Sequence, residues 1–324
     1  MKYSYYNDVI AYLSRKIRSN LLSYKILKDN EYLKQITIFE DMIADLVFNN
    51  NFDVDDSELK FNTKITNDDL FTLTYDFFKT LDKKTFELFE KLFKYHKKNV
   101  KLSSVPISKD YCGITYTSFD TMEFYIKIKR FYDIRDVNTL IHEYGHVLAF
   151  YLNAYDGNFY ANQTPFCEIE SIFLELLSFD FLDNIHFDAS DSYNNRKNFI
   201  YDIYGKASNI DNKFVLYNNM TPNDRINHSY YSQIKQKFDI DKLDLWFMYS
   251  SPVEIDILYV ISSLYAMELY DIYLKNKEKA LDLYKQIIKL DYPSNEEFVN
   301  ELSNLSIYPN KTDTFIRTLK KDAK

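Results

Sequence analysis

The sequence predicts a mainly α-helical protein with one small β element. Three observations carry this expectation. Glycine (4) and proline (6) are scarce among 324 residues; few of either means few tight turns, which favours long helices over a many-stranded sheet. Apolar residues recur at helical spacing along most of the chain. One stretch, 111–129, instead alternates β-branched and aromatic residues with polar ones.

Residues 4–28 and 31–49 read as amphipathic helices, with Tyr12, Ile17, Leu21 and Leu22, then Ile38, Met42, Ile43 and Leu46, at helical spacing. The stretch "NNNFDVDDSELKFNTKITNDD" is polar and acidic and reads as a connection. Helices follow over 68–80 and 84–98. Their stripe of Phe77, Phe78, Phe86, Phe89, Leu92 and Phe93 is core rather than ligand site. "YCGITYTSF" and "MEFYIKIKRF" predict two strands of a hairpin joined at "FDT". Everything after 136 reads as helical, over 136–154, 166–186, 191–205, 222–236, 253–276, 278–289, 294–304 and 311–322. The predicted β structure therefore lies directly ahead of the helix that carries "TLIHEYGHVLAF", residues 139–150.

Composition excludes several classes. The net charge is −8 with no basic stripe, so nucleic acid is not an expected partner. The first residues, "MKYSYYNDVIAYLSRKIRSN", contain no apolar core of a secretory signal. No window approaches the roughly 18 uninterrupted apolar residues of a membrane span. Cys112 and Cys167 form no disulfide framework and read as buried small residues. A cytoplasmic protein with reduced thiols is the expectation.

The chemistry concentrates at His142, Glu143 and His146. Positions four apart lie one above the other on a helix, so His142 and His146 present two imidazoles to one point, as tetrahedral zinc requires. Glu143 lies about 100° round the helix, placed to act on a metal-bound water without being a ligand. A bare His-Glu-x-x-His also arises by chance, as a pair of packed or exposed histidines beside an incidental glutamate. A third ligand is needed, and "TPFCEIESIFLELLSFDFL" offers one. With Pro165 at a plausible helix start, Glu168, Ser171, Ile172 and Glu175 share a face. Glu168 completes a His, His, Glu set with the fourth position left for water, and Ser171 and Glu175 are placed to hydrogen-bond the histidines. Glu170 reads as part of a solvated face. His96 and His186 read as surface residues.

"DVNTLIHEYGHVLAFYL" followed by "FCEIESIFLELL" resembles the oligoendopeptidase F and thimet oligopeptidase family of zinc metallopeptidases. That family carries a His-Glu-x-Gly-His helix and a third-ligand glutamate in a Glu-x-x-Ser-x-x-x-Glu segment, here Glu168 to Glu175. "YCGITYTS" and "FYIKIKRFYDIRDVNTLIHE" upstream, and "LYVISSLYAMELYDIYLKNKEKALDLYKQIIKL" downstream, are similar to the family's strands and closing helices. The resemblance implies a zincin-like helical catalytic domain over 68–324, preceded by a reduced N-terminal helical region over 1–67. It implies one Zn²⁺ on His142, His146 and Glu168, with Glu143 as general base in the hydrolysis of oligopeptides. The strand "EFYIKIKRF" would then pair with the substrate backbone, and Gly145 would permit a neighbouring element to approach closely.

Two departures stand out. Family members are usually far longer, because an N-terminal helical half roofs the channel. The family also places a histidine and several tyrosines near the downstream helix to stabilise the oxyanion. Aligned on Trp246, the histidine position falls near Ser251, and tyrosine positions become Ile257 and Ile261. Tyr259 matches best as oxyanion donor, with Tyr265, Tyr249 and His228 as substitutes. Two rivals stay open. One is a catalytically weakened zinc-binding or regulatory protein of the same descent. The other is a zinc carboxypeptidase, although the sequence shows no obvious cluster for gripping a C-terminal carboxylate and leaves only Arg130 and Arg135 open for it. Asp136 is expected to cap the helix that carries the histidines.

Overall fold

A computed structural model of the chain describes residues 59–105, 112–118, 121–155, 168–218, 253–290 and 295–308. The expected helices 4–28, 31–49, 222–236 and 311–322 lie outside these residues, as do Pro165, Cys167, His228, Trp246, Tyr249 and Ser251. The chain divides into two compact units: residues 53–200 with 262–324, and residues 1–52 with 201–261.

The larger unit opens with α1 (Asn67–Lys79) and α2 (Lys83–Phe93). Both starts are written in the sequence. Thr66 and Asp69 close a capping box on α1, and the Asp82 carboxylate accepts from the N–H groups of Lys84 and Thr85 at the start of α2. The predicted phenylalanine stripe packs as expected, with Phe78 and Phe89 stacked at 3.9 Å. Helix α2 stops at Phe93, short of the predicted 98. A single turn, α3 (His96–Asn99), leads instead into β1 (Val100–Ser103), followed by β2 (Gly113–Ser118) and β3 (Glu123–Lys129).

The predicted hairpin is present, with β2 antiparallel to β3 in the register Tyr116↔Tyr125. Strand β1, which the sequence reading missed, pairs parallel to β3 on the other side. The order β1-β3-β2 makes β3 the central strand. This counts against the expectation that "EFYIKIKRF" pairs with substrate, because over Ile126–Ile128 both hydrogen-bonding edges of β3 are occupied by neighbouring strands.

Four helices complete this unit or pass through it: α4 (Arg135–Tyr155), α5 (Ile169–Asn184), α6 (Ala189–Asn218) and α7 (Val253–Lys275). They are followed by α8 (Lys277–Ile288) and α9 (Asn295–Asn304). Helix α6 runs well past the predicted end at 205. Helix α5 is apolar almost all round and is buried along nearly its whole length, as befits a helix inside a core. Tyr144 on α4 is fully buried against Phe78, Phe89 and Phe124, at ring separations of 6.1, 5.1 and 6.2 Å. In the smaller unit, α6 and α7 bring Lys206 Nζ over the Tyr259 ring at 4.9 Å. Among the described residues no helix is long and apolar enough to cross a membrane.

Asp136 does not cap α4 as expected. It is completely buried, and its two oxygens accept the backbone N–H groups of Phe131 and Tyr132 and the Nε of Arg130, at 2.8, 2.7 and 2.8 Å. The Arg135 N–H at the helix start is taken by Asp133. Arg130, itself buried, donates onward to the Ile65 carbonyl at 2.6 Å and to the Asn67 side chain. One buried ion pair thus ties the end of β3, the start of α4 and the approach to α1. Removing one partner leaves an uncompensated buried charge, so Asp136→Ala should destabilise the fold by about 3–5 kcal/mol in urea unfolding. A loss below about 1 kcal/mol, the size of an ordinary hydrogen bond, contradicts this account.

Candidate metal centre

Helix α4 places His142 and His146 one turn apart, with ring centroids 5.0 Å from each other and ring planes nearly perpendicular. Both rings need a partner from another element, and α5 supplies it. Two features bring α5 close. A Cβ at Gly145 would meet Ser171 Cα at 2.9 Å, so only glycine allows this approach of the two helices. A buried polar brace then joins them: Asn138 donates to Ser178 at 2.7 Å and accepts from Asn195 of α6 at 2.8 Å.

Glu168 stands at the N-cap of α5, and its side chain caps nothing in its own helix. Its carboxylate points at the histidines. Oε2 lies 3.1 Å from His142 Nε2 and 3.3 Å from His146 Nε2. The three candidate ligand atoms fall within 4.8 Å of one another, and this His, His, Glu group could hold a metal ion. Two imidazole nitrogens and one carboxylate oxygen are a donor set that suits zinc.

The surroundings are richer in carboxylates than the sequence suggested. Glu175 Oε2 lies 3.1 Å from His142 Nδ1, in keeping with the reading of that residue. Ser171 does not reach a histidine; its hydroxyl donates within α5, to the carbonyl and Oε2 of Glu168, each at 3.1 Å. Glu170 is the larger correction. Expected on a solvated face, it is only 6% exposed, with Oε1 3.5 Å from His146 Nδ1. The reason is that α5 is buried on several faces at once, so helical periodicity does not show which face meets solvent.

Glu143 is buried on the same helix and meets the sheet rather than α5. Thr115 of β2 donates to Glu143 Oε2 at 2.6 Å. Gly113 lies against the same carboxylate: a Cβ there would sit 2.2 Å from Oε1. Neither Gly113 nor Thr115 was singled out from the sequence. Alternation in β2 was the available signal, since Gly113, Thr115 and Thr117 pair with Ile128, Ile126 and Phe124 on one face.

The electrostatics follow from this crowding. Burial opposes a charge on His142, but hydrogen bonds to Glu168 and Glu175 outweigh it and push the ring up to about 10. His146 is raised well above its usual value in the same way, burial being overcome by the Glu168 charge. Glu168 is held well below the usual carboxylate range, because the two imidazoles prevail over its burial. Burial pushes Glu143 up, against the pull of both histidines and the Thr115 hydroxyl.

Other expected residues sit elsewhere. Tyr259 lies half-buried in the smaller unit, and Tyr265 is buried in the larger one. Cys112, expected to be buried, is exposed at the start of β2. His186 is exposed and His96 half-buried, its ring stacked on Phe93 at 4.5 Å.

No protein-family model matches the chain, and no curated protein matches it. Solved structures do. Over 90% of its length the chain matches 56% of a protein provisionally called oligoendopeptidase F, solved from crystals grown by microfluidic seeding, with a TM-score of 0.60 and 16% identity. It matches, over 82% of its length, 46% of another so called from Bacillus anthracis str. Ames, with a TM-score of 0.53 and 14% identity. It matches, over 93% of its length, 59% of PZ peptidase A solved with an inhibitor, with a TM-score of 0.55 and 16% identity. The chain spans about half the length of each of these structures. The mainly helical architecture described above is the fold of the oligoendopeptidase F structures.

Proposed function

We propose that this protein is a zinc-dependent metalloendopeptidase that hydrolyses peptide bonds in oligopeptides, with His142, His146 and Glu168 holding one zinc ion and Glu143 acting as general base. One observation carries the reading: two imidazole Nε2 atoms of α4 converge on a single carboxylate oxygen of α5, with a buried glutamate beside them. A zinc ion in such a set supplies a Lewis acid that acidifies water and polarises a carbonyl.

The chain's own residues do the rest. Glu143 takes a proton from the attacking water and passes it to the leaving amine, and its raised pKa brings it nearer to the working pH. Thr115 fixes one of its oxygens. Among the described residues, strand β2 is an edge of the sheet, and it touches Glu143 through Gly113 and Thr115. Substrate backbone therefore adds to β2 rather than β3, a mode that tolerates many side chains. The sequence resemblance alone names Tyr259 as oxyanion donor. The division into an N-terminal region over 1–67 and a catalytic domain over 68–324, and a cytoplasmic location, belong to the same proposal. The carboxypeptidase reading loses its two arginines: Arg130 is buried on Asp136, and Arg135 holds both oxygens of Asp133 at 2.9 and 2.6 Å.

Metal analysis of the purified chain should find one zinc, and Glu168→Ala should lose it. A quenched fluorescent peptide library read by mass spectrometry should give internal cuts. Glu143→Gln should slow them by about 10²–10⁴ while zinc stays bound. Zinc at unit stoichiometry with no cleavage would instead identify a binding protein, and release of terminal residues a carboxypeptidase.

Gly113→Ala offers a separate check, because the added methyl displaces the Glu143 carboxylate. Turnover should fall on the order of 10²-fold with zinc content unchanged.

The pH dependence has a definite sign. Zinc must displace protons from imidazoles raised to about 10 at His142 and likewise raised at His146, so measured zinc affinity should climb from pH 6 to pH 8. In chelated protein, His142 has a higher pKa folded than unfolded. Its contribution to stability is full below about 6.5 and lost as pH rises towards about 10. The melting temperature of the chelated form should fall over that window. Bound zinc, which keeps both rings neutral, should remove the fall.

A further inference from the structure

We infer that Glu170 is a second positioning carboxylate, which holds His146 by its Nδ1 as Glu175 holds His142. This inference rests on the zinc site proposed above and deepens it. The geometry begins with the ring nitrogens. Both Nε2 atoms face Glu168, so both Nδ1 atoms face away from it. Each of these meets a different carboxylate of the same helix: His142 meets Glu175 at 3.1 Å and His146 meets Glu170 at 3.5 Å.

Burial makes the second contact significant. A glutamate 6% exposed is expensive to hold in a core unless a partner offsets the lost hydration. Among the described residues, the only ion pair Glu170 makes is with His146. Its other oxygen, Oε2, is buried with no hydrogen-bond partner among the described residues. A residue kept for packing or solubility would not be a carboxylate here. A distance of 3.5 Å is long for a direct hydrogen bond, and a shift of a few tenths of an ångström closes it.

The chemical consequence concerns the tautomer. A carboxylate on Nδ1 keeps the proton on that nitrogen, leaves the Nε2 lone pair as donor, fixes the ring plane and raises the ring's basicity. With Glu170 in place both histidines are held this way, where a single carboxylate would leave His146 to rotate. The pair should slow metal loss from this site.

The test is zinc release from the full chain into an excess of chelator, with the melting temperature of each variant measured in chelated form to separate loss of fold. Glu170→Ala should release zinc about 10–100-fold faster than wild type, comparable to Glu175→Ala. Glu170→Gln keeps an acceptor oxygen facing Nδ1 and should restore most of the retention. Glu170→Met fills the same volume without an acceptor and should behave as Ala. If Ala fails to fold, the Met-against-Gln comparison decides by the same criterion. Wild-type release rates in both Ala and Met, with Glu175→Ala accelerated, overturn the assignment of Glu170 and leave the zinc site standing. A wild-type chain that takes up no zinc overturns the metal reading itself, and this inference with it.

Discussion

The close crossing of α4 and α5 at Gly145 is the constraint on which the site depends. The Gly145 Cβ position lies 2.9 Å from the backbone of Ser171, so any side chain there would force the helices apart. At this separation the first turn of α5 lies beside both histidines. Glu168 reaches them without the cost of being helix-internal, because it precedes the first helical residue. The Asn138–Ser178–Asn195 brace and the Arg130–Asp136 pair then fix the register of α4 against its neighbours. Both are buried and hydrogen-bonded, the arrangement in which polar groups in a core add specificity rather than only cost.

Four glutamates surround two imidazoles: Glu168 at the N-cap of α5, Glu170 and Glu175 from the N-terminal half of that helix, and Glu143 from α4 itself. Burial and mutual charge drive them apart in behaviour. Glu168, which faces both rings, is held ionised, whereas Glu143, buried against the sheet, is pushed towards protonation. Two carboxylates within one cluster thereby differ in their readiness to hold a proton, which is the difference that the proposed roles of ligand and base call for. The same crowding raises both histidines and makes a divalent cation the natural complement of the cluster.

The sheet contributes more than the sequence suggested. Its central strand is β3, and its edge strand β2 presses a glycine and a threonine against Glu143. Hydrophobic alternation marks β2 and β3 as strands but does not say which is central. That depends on β1, a four-residue strand whose partner lies more than twenty residues away along the chain. Short strands held by non-local pairing leave little local signal. Among the described residues this order leaves β2, not β3, at an edge of the sheet.

Local chemistry was legible in the residues themselves. The capped starts of α1 and α2, the phenylalanine core, the hairpin and the spacing of His142, Glu143 and His146 all follow from interactions within a few residues of chain. That Glu168, rather than Glu170 or Glu175, faces both Nε2 atoms depends on how α5 packs against α4. The surroundings of the donor set were likewise decided only when helices packed. Glu170 turned inward because α5 is buried on more than one face. Asp136 turned from its own helix to the preceding loop because Arg130 needed a counter-charge. Gly113 and Thr115 met Glu143 across a sheet whose order is non-local. Sequence periodicity names the face a residue shares with its neighbours, and only tertiary packing says what that face meets.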